Sequence, residues 1–147
     1  MKVKIKKLHE KAITPTYATD GSGCFDLYAA HEAIVISTAL IDTGVSFEIP
    51  EGHVMLVYSR SGHGFRHGVR LSNCVGVIDS DYRGSVKVAL TADGHTKESS
   101  QWQKLEVRAG DRIAQAMIIP VEKVVFAEAD ELTTTSRLDK GLGSTGR

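Results

Sequence analysis

Asp79, Asp81, Tyr82 and Arg83 crowd one short turn between the β-favouring run Val75-Gly76-Val77-Ile78 and Gly84. A carboxylate delivered by the end of a strand can hold a water and take its proton, and a tyrosine beside it offers a flat face to a ring. Taken alone, the same residues also suit an Asx-turn hairpin carrying a solvated charge cluster. A second segment, Tyr58-Ser59-Arg60-Ser61-Gly62-His63-Gly64, sets hydroxyls and a guanidinium among glycines that let backbone N–H groups approach an anion. Phosphate is its natural ligand, and a flexible polar loop is the plain alternative. The tail, Arg137-Leu138-Asp139-Lys140-Gly141-Leu142-Gly143-Ser144-Thr145-Gly146-Arg147, again pairs cations with hydroxyls and free amides. It can fold over a polyphosphate, or stay unstructured as terminal Gly/Ser segments do. In Gly110-Asp111-Arg112-Ile113-Ala114-Gln115, a polar Arg and Gln interrupt a strand that is otherwise apolar through Ile119. One of them is expected to meet a buried partner or a ligand.

Metal ligation by histidine is poorly served. His63 and His67 stand four apart and would share a helical face, but Gly62 and Gly64 weaken that helix. No nearby cysteine or carboxylate completes tetrahedral zinc spacing. His53 and His95 fall in turns and read as solvated. Trp102, between Gln101 and Gln103, reads as a partly exposed strand aromatic that packs rather than stacks on a ligand.

Strands must position these groups. Lys2-Val3-Lys4-Ile5-Lys6 alternates with period two, which places Val3 and Ile5 on one face and lysines, which resist edge pairing, on the other. Further β-favouring runs predict strands at residues 33–37, 44–49, 54–58, 75–78, 85–91, 113–119 and 121–127. Asp20-Gly21, Pro50-Glu51-Gly52, Asp93-Gly94 and Ala109-Gly110-Asp111 supply turns between them. Many short strands and frequent turns predict an all-β chain, a jelly-roll-like barrel or sandwich. Residues 59–69 contain three glycines and no sustained apolar stripe, which leaves room for one short helix at most. Residues 133–147 have almost no apolar surface to bury, so a β core over residues 1–132 and a flexible C-terminal arm over 133–147 are expected.

A chain of 147 residues suits a single domain with a real core, and an apolar share of 41% is too high for disorder. Eighteen basic residues balance eighteen acidic ones, so no overall field holds a nucleic acid, and any phosphate site must be local. Residues 1–8 lack a signal peptide's apolar centre, and no apolar run is long enough to span a bilayer; a cytoplasmic protein without membrane partners is expected. Cys24 and Cys74 are too few and too far apart for a disulfide framework, and free buried thiols are expected.

Taken together and in this order, the segments resemble the five motifs of the homotrimeric dUTPase family, over essentially the whole chain. The first motif covers residues 22–29; its Asp26-Leu27 matches the family pair, with Cys24 where glycine is usual. The resemblance implies that Asp26 helps hold the hydration shell of a Mg²⁺ cofactor. Arg60-Ser61-Gly62 resembles the phosphate-gripping second motif. Residues 76–84, with Asn73 just upstream, are nearly the third motif residue for residue. By that resemblance Asp79 is the water-activating base, Asn73 reads uracil, and Tyr82 packs on the deoxyribose and leaves no room for a 2′-OH. Gly76, Val77, Ile78 and Lys87 belong to the same implied substrate-binding set. In the fourth motif Gln115 matches a phosphate contact and Arg112 a structural residue. In the fifth, Arg137 and Gly143-Ser144-Thr145-Gly146 match the cap over the γ-phosphate, while Leu142 stands where the family has an aromatic over the base, and Leu138 and Lys140 replace glycines.

The resemblance implies hydrolysis of dUTP to dUMP and pyrophosphate, limiting uracil incorporation into DNA and supplying dUMP for dTMP synthesis. It also implies a homotrimer with shared sites: the third motif on one chain, the second and fourth on its neighbour, and the tail reaching from another. Three alternatives stand beside it. They are a dCTP deaminase of the same superfamily, a nucleotide-sensing trimer that docks a protein partner, and a plain structural β domain. The Asp79-Ser80-Asp81-Tyr82 segment and the full tail argue for hydrolysis.

Overall fold

The lysine-rich alternation at the N-terminus becomes strand β1 (Lys4–Lys7), with Val3 and Ile5 half-buried and the lysines in solvent. It belongs to a computed structural model that describes residues 1–93 and 104–141. Among these residues the further strands are β2 (Thr16–Tyr17), β3 (Phe25–Tyr28), β4 (Ala33–Val35), β5 (Thr38–Asp42), β6 (Val45–Glu48), β7 (His53–Tyr58), β8 (Val69–Leu71), β9 (Val75–Ile78), β10 (Lys87–Ala92), β11 (Leu105–Val107) and β12 (Arg112–Pro120). Helix α1 (Ser61–His67) lies between β7 and β8. The architecture is mainly β with one short helix, as the turn spacing predicts.

All strand pairs are antiparallel. One sheet runs β2-β3-β12-β7-β9, another β5-β10-β8, and two-stranded pieces join β1 to β6 and β11 to β4. Alternation on β10 turns Val88, Leu90 and Ala92 inward, and they join Leu27, Met55 and Ile113 from the five-stranded sheet in one core. Burying side chains of this size contributes about 1.5–3 kcal/mol each before entropy is charged. The site therefore rests on a rigid floor of paired strands.

The helix forms in spite of Gly62 and Gly64, because its end is well made. Gly68 sits in the left-handed region at φ 58° and its N–H bonds Gly64 O at 3.0 Å, while Arg66 and His67 place basic side chains at the negative end of the helix dipole.

Several expectations fail. Residues 121–127 form no strand: Pro120 ends the ladder, and Val124, Val125 and Phe126 are 66%, 96% and 91% exposed. β-propensity alone cannot make a strand, and among the described residues no strand edge pairs with this run. Strands β2, β3, β5, β8 and β11 escape the pattern because each is short and takes its identity from ladder partners, as Val69-Arg70-Leu71 does from β10. The thiols are free but not buried: Cys24 is half-buried and Cys74 exposed, the latter at φ 62° in the turn before β9. His53 opens β7 with Nδ1 3.1 Å from Glu51 O. His95 and Trp102 lie outside the described residues. No helix among the described residues is long and apolar enough to cross a membrane.

Candidate active site

Ladder register aligns the first group of candidate residues. Asp26 on β3 lies opposite Gln115 on β12, which lies opposite Tyr58 on β7, so the three form one row across the sheet. Two residues beyond Tyr58 the chain reaches Arg60 and turns into the helix. Gln115 Nε2 donates to Ser59 O at 2.9 Å and ties that corner to β12. The Asp26 residue is only 8% exposed, and an isolated buried carboxylate is costly. Two guanidiniums offset it: Arg60 Nε lies 3.5 Å from Oδ1 and Arg112 Nη1 3.3 Å from Oδ2. Arg60 is held further by Nη1, which donates to Arg112 O at 3.0 Å and lies 3.4 Å from His63 Nε2.

Asp26, Arg60, Arg112 and Gln115 line a cavity of about 410 Å³ together with Ser61 and Gly62. Two cations against one carboxylate leave a net positive wall, next to a hydroxyl and a glycine with open space where a Cβ would be. The chemistry is that of an anion grip. Arg112, expected as a structural residue, both pairs with Asp26 and faces the cavity.

His63 has a specific electrostatic problem. Its Nδ1 is the one buried side-chain polar atom without a hydrogen-bond partner among the described residues. Burial, then the charges of Arg60 and His67, push its pKa below the ordinary histidine value against an opposing pull from Asp111. The folded protein therefore prefers neutral His63, and the unfolded chain binds more protons as pH falls through and below the ordinary histidine value. Acid should lower the melting temperature across that window, and His63→Leu should flatten the drop; an equal drop in both proteins rules His63 out as its source. His67 lies with its ring centroid 6.5 Å away, but no group of three metal-ligating side chains gathers among the described residues.

The second group sits at the end of β9. Asp79 follows Ile78 into solvent, and Tyr82 N donates to Asp79 O at 3.2 Å to close the turn. Arg83 spends Nη1 on its own loop, donating to Ser80 O at 2.6 Å and Tyr82 O at 3.0 Å. Tyr82 Oη donates to Ser85 O at 3.1 Å, and its ring occupies the space a Cβ on Gly84 would need. Val77, Ile78, Asp79, Tyr82, Val86 and Lys87 line a cavity of about 210 Å³. Asn73 is exposed in the turn entering β9, and Gly76 is buried where a Cβ would press on Val57 at 3.1 Å and approach Asn73 Nδ2 at 3.8 Å.

The two groups do not meet within one chain. Ile78 pairs with Met55, so Asp79 is level with Val54, six residues before Arg60 along β7 and its exit. At about 3.3 Å per strand residue the separation is about 20 Å. Among the described residues none lines both cavities. Arg137 lies apart from both, in an exposed turn where its Nε donates to Lys140 O at 3.1 Å. Leu142, Gly143, Ser144 and Thr145 lie outside the described residues.

Sequence reasoning missed the broad concave face of about 870 Å³ beside Asp79, which Val54, Leu56, Val77, Ile119 and Val121 make apolar. A signal was present: Val75-Gly76-Val77-Ile78 does not alternate with polar residues, the mark of a strand that needs cover on both faces, yet Val77 is 60% exposed.

A family model described as dUTPase matches residues 10–146. The deoxyuridine 5'-triphosphate nucleotidohydrolase of Nautilia profundicola is 42% identical over 149 residues, covering all of both chains. That of Hydrogenobaculum sp. is 41% identical and covers 99% of each. Among solved structures, Staphylococcus bacteriophage 80alpha dUTPase with dUPNHPP superposes at TM-score 0.88 with 24% identity over 99% of each chain. A variant dUTPase from phage phi11 of S. aureus, described for its coordination of a structural Mg(II) ion, gives TM-score 0.79 with 21% identity over 91% of this chain and 100% of that one. At such identities the phage structures speak to fold, and the fold is the same. With a full-length family match and relatives above 40% identity end to end, the chain belongs to the dUTPase family.

Proposed function

We propose that this chain hydrolyses dUTP through a site assembled from several copies of itself. It is a dUTP diphosphatase, and its products are dUMP and pyrophosphate. The observation that carries the composite site is the separation of about 20 Å between Asp79 and Arg60 along one rigid strand. A water held at Asp79 and phosphates held at Arg60 of the same chain would be too far apart to react; placed on neighbouring copies, the two halves can close on one nucleotide.

In this reading the nucleoside enters the cavity at Asp79, Tyr82 and Lys87, with Asn73 and the backbone of Gly76, Val77 and Ile78 facing the base. Tyr82 packs on the deoxyribose. The Asp79 carboxylate takes a proton from a water whose oxygen attacks the α-phosphorus, and pyrophosphate leaves with the electron pair of the broken P–O bond. On the neighbouring chain Arg60, Ser61, Gly62 and Gln115 counter the charge that gathers on the leaving group. Arg137, Leu142, Gly143, Ser144 and Thr145 of the C-terminal arm complete the cap over the phosphates and base.

Mg²⁺ fits this set as a water-bridged guest. The buried Asp26 carboxylate already spends each oxygen on a guanidinium, and Mg²⁺ favours phosphate oxygens and waters over an all-protein cage. Asp26 would hold its hydration shell, and the ion when bound would clamp and neutralise the phosphates.

Three copies close the assembly, with the tail crossing between them. Exposed Val124, Val125 and Phe126 and the apolar face at Val77 are the surfaces that need cover. We place the protein in the cytoplasm, where the free Cys24 and Cys74 are at home.

The test is a product assay with dUTP, dCTP and UTP, with and without Mg²⁺, followed by reaction in ¹⁸O water. Pyrophosphate from dUTP with label in dUMP is expected; label in pyrophosphate would refute attack at the α-phosphorus, and ammonia from dCTP would point to deamination. Arg60→Ala should lower kcat/KM for dUTP by about 10- to 150-fold, the worth of a charge-assisted hydrogen bond. An unchanged kcat/KM would take Arg60 out of the phosphate grip.

A further inference from the structure

Three polar or charged side chains are buried among the described residues, and two of them, Thr43 and Ser46, belong to neither cavity. Both lie where β5 turns into β6, and both bond the segment that carries Asp79 and Tyr82. Thr43 Oγ1 donates to Val86 O at 2.8 Å, and Thr43 N donates to the same oxygen at 3.1 Å. Ser46 Oγ donates to Arg83 O at 2.7 Å, and Val86 N returns a bond to Val45 O at 2.9 Å. Buried hydroxyls cost stability unless bonded, and here both hydroxyls donate to the same loop. Gly44 makes the turn possible: its φ is +65°, and a Cβ there would meet His9 at 2.8 Å and Ala12 at 3.0 Å.

Asp42 opens this turn. Its Oδ1 accepts from Gly44 N at 2.7 Å and, in a short bond, from Ser85 Oγ. Burial pushes the Asp42 carboxyl up, but the Ser85 hydroxyl, the Gly44 N–H and the charges of Lys87 and His31 outweigh it and hold it below the usual carboxylate range. Ser85 in turn accepts from Tyr82 Oη through its own carbonyl. A line of bonds thus runs from the β5–β6 turn through Ser85 to the phenol at the mouth of the nucleoside cavity.

We propose that Asp42 is the positioning residue for Tyr82: through Ser85 it fixes the ring that bars a ribose 2′-OH, and so it sets how strongly the site prefers dUTP to UTP. The proposal rests on Tyr82 packing against the sugar as argued above. It concerns residues outside the five motifs.

The experiment measures kcat/KM for dUTP and for UTP on the full chain and its variants. Asp42→Ala and Ser85→Ala should each lower the dUTP-to-UTP ratio on the order of tenfold, since misplacement of a contacting group by a fraction of an ångström to 1 Å has effects of that scale or larger. Asp42→Asn keeps the accepting Oδ1 and should hold the ratio near wild type. The double variant Asp42→Ala with Ser85→Ala should be no worse than either single one, because both cut the same line. General damage to the fold would scale both substrates together and leave the ratio alone. Ser85→Ala removes one hydroxyl at a half-exposed position, so it decides the matter even where Asp42→Ala fails to fold. An unchanged ratio in Ser85→Ala, an Asp42→Asn as impaired as Asp42→Ala, or additive losses in the double variant would overturn the proposal. Wild-type protein that leaves dUTP intact would instead remove the hydrolytic reading beneath it.

Discussion

Asp79→Asn will bind dUTP about as well as the parent protein and hydrolyse it at least about 10²-fold more slowly, the scale set by loss of a positioned general base. The change is nearly isosteric, and Asp79 is exposed and makes no side-chain hydrogen bond among the described residues, so the fold there has no reason to respond. The backbone bond that closes the loop, from Tyr82 N to Asp79 O, is untouched by it. Binding by calorimetry with a non-hydrolysable analogue and single-turnover rates with dUTP separate the two effects. Near-parental turnover in this variant would remove Asp79 from the base role and move attention to Asp81, the other acidic side chain of the same loop.

The second large effect is expected far from any phosphate. A double change, Val125→Asp with Phe126→Asp, should yield a folded monomer whose turnover is down by about 10²-fold or more, because reacting groups held on separate copies lose their positioning altogether. Val125 and Phe126 are almost wholly exposed, so their replacement removes little packing among the described residues. In an assembly that covers them, each large apolar side chain contributes about 1.5–3 kcal/mol on burial, and a carboxylate in its place is repelled from the same surface. Sedimentation and circular dichroism report assembly and folding, and the rate reports the site. Monomers that retain full activity would contradict the composite site, since Asp79 and Arg60 of one chain would then have to act together across about 20 Å of strand.

The same two groups show why the site was readable in part. Asp79, Tyr82, Arg60 and Gln115 stand out in the sequence because they interrupt apolar runs with groups that need a reason to be there. The partners that hold them do not stand out. Asp42 and Ser85 are 43 positions apart and look like ordinary turn residues until β5 and β10 pair and bring them together. Arg112 matches a structural residue in the sequence, and it also lines the cavity at Asp26, a placement that only the pairing of β3 with β12 makes. The run at residues 121–127 misled for the opposite reason. Its β-propensity is real, but a strand is a relation between two segments, and no segment among the described residues pairs with it.

The class of fold and the kinds of chemistry are legible in short stretches of chain. Period-two alternation and turn residues act over a few neighbours, and a carboxylate or guanidinium has the same reactivity wherever it is placed. Which of those groups can meet follows only from how the strands pair. Burial pinned the Asp26 carboxylate between Arg60 and Arg112. Ladder register then put Asp79 at one end of β7 and Arg60 at the other, a separation that no local pattern encodes because it depends on which strand lies beside which.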